Sequence, residues 1–66
     1  MHITVNGSVR EIPERSTIQM LLAEFALVDQ KVAVECNGQI VARDQFAKQM
    51  LCEGDVLEIV RFVGGG

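Results

Sequence analysis

The chain has no tryptophan and no tyrosine, a single proline, and three phenylalanines among its 66 residues. An interior so poor in aromatics has to be filled by Ile, Val, Leu and Met, and an apolar content of 48% supplies them. Basic residues are scarce too. Six Lys and Arg stand against nine Asp and Glu, a net charge of −3 with no basic run. Phosphate backbones are held by clustered cations, so nucleic acid is not an expected partner. No apolar run approaches the ~20 residues of a membrane span. The N-terminus lacks the charged-then-apolar layout of a signal peptide, and no hydrophobic tail follows the C-terminal glycines to signal a lipid anchor. The expected location is the cytoplasm, with reduced thiols. The two cysteines, Cys36 and Cys52, form no CxxC pair, and His2 is the one histidine. That is too few ligands for a structural zinc site. Cys36 shares strand parity with Val32 and Val34 and reads as a small buried hydrophobe. No disulfide is expected between the two.

A chain of this length makes one domain and buries only about 60% of its unfolded surface, so its core must be small. Residues 2–12 read as a hairpin: Ile3 and Val5 alternate with polar residues, and Asn6-Gly7 gives the turn. Pro13 closes the second strand. Ser16 with Gln19 three residues on is a capping-box pattern. The stripe Ile18, Leu21, Leu22, Phe25 and Ala26 then predicts a helix ending between Ala26 and Val28. Val32 to Cys36, a second Asn-Gly turn at Asn37-Gly38, and Gln39 to Val41 make another hairpin. Arg43 to Gln49 has room for a turn or two of helix anchored by Phe46, with Leu51 also inward. Glu53-Gly54-Asp55 is a turn, and Val56 to Val63 is the longest strand. Two hairpins cannot bury an apolar face unaided, so the sheet must wrap the helix, with the first and last strands parallel at its centre. The expected fold is α+β, a ubiquitin-like β-grasp: a mixed sheet of four to five strands on one main helix, in the order ββαβ, short helix, β. The domain runs from 1 to 63, with 64–66 as a flexible glycine tail.

The sequence finishes Val63-Gly64-Gly65-Gly66. Glycines in a row cannot pack and carry no side-chain chemistry. They can present a terminal carboxylate on a thin stalk, and four extended residues reach at most roughly 13–14 Å. Without Cβ atoms, Gly64 and Gly65 would thread a channel too narrow for any other residue, placing the Gly66 carboxylate in a partner's active site. A frayed terminus is the plain alternative, but such ends are usually polar and mixed.

Asn37-Gly38-Gln39-Ile40-Val41, Arg43, Glu53-Gly54-Asp55, Leu57-Glu58-Ile59-Val60 and the closing Val63-Gly64-Gly65-Gly66 closely resemble the bacterial sulfur carriers of thiazole biosynthesis, the ThiS family. The match covers the whole chain in length and element order and is dense from Val32 onward. Ala42 stands where that family commonly has proline, and Phe46 where it often has tryptophan; both departures concern local packing. The resemblance implies a ThiF-like partner that adenylates the Gly66 carboxylate with ATP and magnesium. It further implies conversion to a thiocarboxylate with sulfur relayed from a cysteine desulfurase, and delivery to a ThiG-like thiazole synthase for the thiazole of thiamin. Read from the residues, the chain has no GxxxxGK[ST] loop, no metal cluster and no paired nucleophile and base. It is expected to be a protein substrate, not an enzyme, and to bind no cofactor itself.

In the last strand, Leu57 and Ile59 are assigned inward because the opposite set contains Glu58. Val60 and Phe62 then lie on the open face beside the tail and, with Arg61, are the candidate partner contacts. Arg61 either meets an acid on the activating enzyme or solubilises the strand end. Arg43 is read as a cap or ion pair for the short helix, and His2 as an exposed strand residue. Three other functions remain open: the small subunit of molybdopterin synthase, a lysine-conjugated ubiquitin-like modifier, and a plain β-grasp interaction module.

Overall fold

Each Asn-Gly pair puts two successive residues in left-handed space, Asn6 and Gly7 at φ 49° and 84°, Asn37 and Gly38 at φ 53° and 84°. This is the type I′ geometry, whose twist matches that of paired strands. In the computed structural model, which describes residues 1–62, the first turn joins β1 (His2–Val5) to β2 (Ser8–Glu11). The second joins β3 (Val32–Cys36) to β4 (Gln39–Val41). Between the hairpins lies α1 (Ile18–Glu24), and after them a 3₁₀ turn (Arg43–Gln45) and β5 (Val56–Arg61). The sheet order is β2-β1-β5-β3-β4, with β1 and β5 parallel and the other pairs antiparallel. This is the expected β-grasp, with the sheet resolved to five strands. Val63 and the proposed boundary before Gly64 lie outside the described residues.

Alternation along the strands sends Ile3, Val5, Val34, Leu57 and Ile59 to the helix side, where they meet Ile18, Leu21 and Leu22. Ile3, Ile18, Val34 and Leu57 are completely enclosed, and Phe46 and Leu51 close the core from the 3₁₀ side as expected. Cys36 is buried in the same cluster and Cys52 is exposed; both are free thiols.

The helix differs from expectation at both ends. Its N-cap is Thr17, whose Oγ1 accepts from the Met20 N–H at 3.2 Å, and not Ser16. Ser16 is buried and donates to the Pro13 carbonyl at 2.7 Å. A capping box with Gln19 is not needed, because the 3₁₀ side of the molecule supplies acceptors. The Ile18 and Gln19 N–H groups donate to the Gln49 and Phe46 carbonyls at 3.3 and 2.9 Å. Half of the donors that a helix start leaves open are thus satisfied from distant sequence.

At the other end α1 stops after seven residues. Phe25 is its C-cap, and Ala26 turns left-handed at φ 58°. The Leu27 N–H donates to the Leu22 carbonyl at 2.8 Å and the Ala26 N–H to Ala23 at 3.0 Å, a Schellman closure. Ala26 therefore leaves the apolar stripe and is exposed. A Cβ disfavours that conformation by roughly 1–2 kcal/mol, partly offset by the greater freedom glycine loses on folding. Ala26→Gly is expected to raise unfolding stability by about 0.5–1 kcal/mol, a rise of roughly 2–8 °C in the melting midpoint for a domain of this size. Thermal unfolding followed by circular dichroism measures it.

Candidate functional site

Gly64, Gly65 and Gly66, the expected threading and carrying residues, lie outside the described residues. What the structure describes is the strand that precedes them. β5 occupies the middle of the sheet, with Leu57 and Ile59 inward at 0% and 8% exposure, as read from the sequence. On its β1 flank the regular ladder has only two residue pairs, Thr4↔Val56 and Val5↔Leu57. Beyond Val5 the chain turns away, and Asn6 takes over. Its backbone N–H donates to the Leu57 carbonyl at 2.9 Å. Its side-chain amide accepts from the Ile59 N–H at 2.7 Å and donates to the Ile59 carbonyl at 3.1 Å. The side chain stands in for the next peptide group of β1.

Asn37 does the same on the β3 flank. Its N–H donates to the Val56 carbonyl at 2.7 Å, and its Oδ1 accepts from the Val56 N–H at 2.9 Å. Its Nδ2 donates to Asp55 Oδ1 at 3.0 Å, while Asp55 Oδ2 accepts from the Cys52 N–H at 2.8 Å. Sequence reasoning saw both asparagines only as turn formers and missed this second task. Pairing on the β3 side continues past Arg61, since the Phe62 N–H donates to the Lys31 carbonyl at 2.9 Å. The strand is thus held along its whole length, up to the residue before Val63.

Val60 and Phe62 are exposed at 56% and 57%. The register adds to them. Thr4 pairs with Val9 and with Val56, Ala33 with Val60, and Glu35 with both Glu58 and Ile40, all on the open face. Among the described residues, Val9 and Ile40 are the most exposed large apolar residues, at 70% and 72%. The apolar surface is therefore wider than the two residues expected. At its centre two like charges, Glu35 and Glu58, oppose each other directly, an arrangement that disfavours the isolated sheet.

Arg61 does not share that face. It pairs with Val32 and continues the parity of Leu57 and Ile59, which sets it on the helix side. The three candidate contacts are thus divided between the two faces of the sheet. Arg43 opens the 3₁₀ turn without a side-chain cap bond, and among the described residues it makes no ion pair. His2 is exposed, as expected, but has an acidic neighbour: its Nδ1 lies 3.8 Å from Glu53 Oε2, while its backbone N–H donates to Glu53 Oε1 at 2.8 Å. Burial, and secondarily the Asp55 carboxylate, pushes the Cys36 thiol above its ordinary pKa and keeps it protonated. Among the described residues no three His, Cys, Asp or Glu side chains converge as a metal set. No helix there is long and apolar enough to cross a membrane.

Comparison with known proteins agrees with the resemblance. A sequence model of the ThiS family matches residues 3–66. The sulfur carrier protein ThiS of Bacillus subtilis is 42% identical over 97% of this chain and 98% of its own length. The thiazole synthase of Paramagnetospirillum magneticum is 41% identical over the whole chain, and that of Magnetococcus marinus 36%. The chain spans only 20% of the length of each of those two proteins. The crystal structure of the thiamine biosynthesis protein ThiS from Geobacter metallireducens superposes with a TM-score of 0.83 at 32% identity, both chains being covered in full.

The grip of Asn6 on β5 is separable from its turn. Gly-Gly also suits a type I′ turn, so Asn6→Gly removes the two side-chain bonds while leaving the turn allowed. It is expected to cost about 1–3 kcal/mol and to speed amide exchange at Ile59 ahead of the rest of β5. Denaturant unfolding and hydrogen exchange by NMR measure the two effects.

Proposed function

The chain belongs to the ThiS family, and on that premise we propose that it carries sulfur for thiazole formation in thiamine biosynthesis, with the Gly66 carboxylate as the carrying group. It is acted on, as a protein substrate, by an adenylating partner. An α-carboxylate has a reference pKa near 3.3–3.7 and is ionised at neutral pH. It resists nucleophiles in that state. Attack of one carboxylate oxygen on the α-phosphorus of ATP, with magnesium on the partner and loss of pyrophosphate, gives an acyl-adenylate. The terminal sulfur of a persulfide on a cysteine desulfurase relay then displaces AMP to form an acyl disulfide. A second thiol of the relay attacks the relay sulfur of that bond, releasing the thiocarboxylate and leaving a disulfide on the relay. A thiazole synthase takes the sulfur. ATP and magnesium belong to the partner's chemistry, and this chain holds neither.

The observation that carries the reading is the placement of β5. A central strand bonded on both flanks ends at Arg61, and one further backbone bond holds Phe62, directly before Val63-Gly64-Gly65-Gly66 in the sequence. A tail of glycines on a rigid base keeps its reach without moving its root. Gly64 and Gly65 thread the partner's channel, and Val60 and Phe62 meet its surface. Thiazole is favoured as the destination over molybdopterin by the two thiazole synthases among the relatives.

Intact mass spectrometry with C-terminal fragmentation, on protein incubated with ATP, the adenylating enzyme and a sulfur donor, is expected to find one oxygen replaced by sulfur on Gly66. Fragmentation separates this from oxidation of Met1, Met20 or Met50, and the same spectrum reports whether Gly66 is the last residue. An unmodified Gly66 under those conditions overturns the reading. Phe62→Asp is expected to slow adenylation at least tenfold with the fold intact by NMR. An unchanged rate would remove Phe62 from the contact surface.

A further inference from the structure

β2 is exposed along its whole length. Its helix-side residues, Ser8 and Arg10, are identified by their pairing with the buried Val5 and Ile3. The short helix thus leaves a groove of about 410 Å³ between the first hairpin and the segment after α1. Val5, Phe25, Leu27 and Ile59 give it an apolar lining, and Arg10 and Arg61 give it charge. The Arg10 guanidinium carbon lies 4.5 Å from the centroid of the Phe25 ring, so this cation is held against an aromatic face. No carboxylate lines the groove, and neither arginine forms an ion pair among the described residues. Two of the four arginines of a chain with net charge −3 meet here. The open face has the opposite character, with Glu35 and Glu58 paired at its centre.

We propose that this groove is a second docking surface, one that takes an acidic, aliphatic segment of the sulfur-accepting enzyme, while the open face serves the adenylating one. The proposal rests on the sulfur-carrier reading for the identity of the acceptor. Charge complementarity selects the occupant: aliphatic side chains fit the apolar lining, and carboxylates answer Arg10 and Arg61. The groove also lies at the end of the strand that precedes the glycines in sequence, because Arg61, one of its lining residues, is the last residue of β5. Two faces of unlike charge let successive partners recognise one carrier without sharing a surface.

The test uses the full chain with purified thiazole synthase and purified adenylating enzyme, with affinities read by calorimetry at low and high salt. Arg10→Glu is expected to weaken binding to the thiazole synthase about tenfold or more and to flatten its salt dependence. Arg10→Lys should stay within about threefold, and adenylation of both variants should match the unmodified chain. Ser8→Glu, which adds a negative charge to the same rim without disturbing the Phe25 stack, is expected to weaken binding in the same way. Melting curves identify any variant that loses its fold, in which case the Ser8 result decides. Unchanged affinity for Ser8→Glu and Arg10→Glu overturns the proposal. So does equal weakening by Arg10→Lys and Arg10→Glu with unaltered salt dependence, which would make Arg10 a packing residue. Failure of the carrier reading itself is seen separately, as an unmodified Gly66 in the mass spectrum.

Discussion

β5 is gripped on both flanks by the asparagine of a type I′ turn, and most of the architecture depends on that grip. A strand at the centre of a mixed sheet needs partners for its N–H and C=O groups on both sides, because buried backbone groups without partners are costly. β1 can supply only a short parallel ladder before its own turn begins. The amide of Asn6 extends it to Ile59, and Asn37 closes the opposite corner at Val56. One residue type meets two demands at once: it tolerates positive φ better than most, and it carries a donor and an acceptor in the geometry of a peptide group.

With β5 fixed, the helix side follows. Leu57 and Ile59 define the floor on which Ile18, Leu21 and Leu22 sit. A helix of seven residues is too short to be stable by itself. The segment from Phe46 to Gln49 holds its start through backbone carbonyls, and the bond from the Leu51 N–H to the Ser16 carbonyl, 2.8 Å, ties the two segments together. The short helix exposes β2 and creates the arginine-rimmed groove. The Schellman closure at Ala26 is thus a stability compromise, and the residues on either side of it, Phe25 and Leu27, form part of the groove's wall.

Element order, both turns, the inward set of β5 and the roles of Cys36, Phe46 and Leu51 were legible in the sequence. Each is encoded locally, by alternation, by an Asn-Gly pair or by an apolar residue in a polar stretch. The misplacements have a common cause. Thr17 replaces Ser16 as cap, Ala26 leaves the stripe, and Asn6 binds Ile59, each through a partner or a chain reversal that no local pattern records. The open face shows the same limit. Val9, Val56 and Ile40 alternate correctly in their own strands, but only the pairing order shows that they share one face of the sheet with Val60. The reading of Gly64, Gly65 and Gly66 lies outside the described residues.

A carrier that hands one group from enzyme to enzyme meets a conflict that a single binding site does not. Its reactive end must be the same for all partners, so the tail cannot discriminate among them. Discrimination has to come from the domain, and a domain with a net charge of −3 and few cations has limited means. Segregating those means is one solution. The carboxylates of Glu35 and Glu58 stand together on one face at a cost to the isolated sheet, a cost that a cation on a partner would relieve. Two of the four arginines, Arg10 and Arg61, meet on the other side, where among the described residues no carboxylate lines the groove with them. β5 belongs to both faces through its alternating side chains and leads to the tail through its backbone. Under the proposed function, the gripped strand is the one that precedes the glycines in sequence, so a partner docked on either face would rest on the same strand.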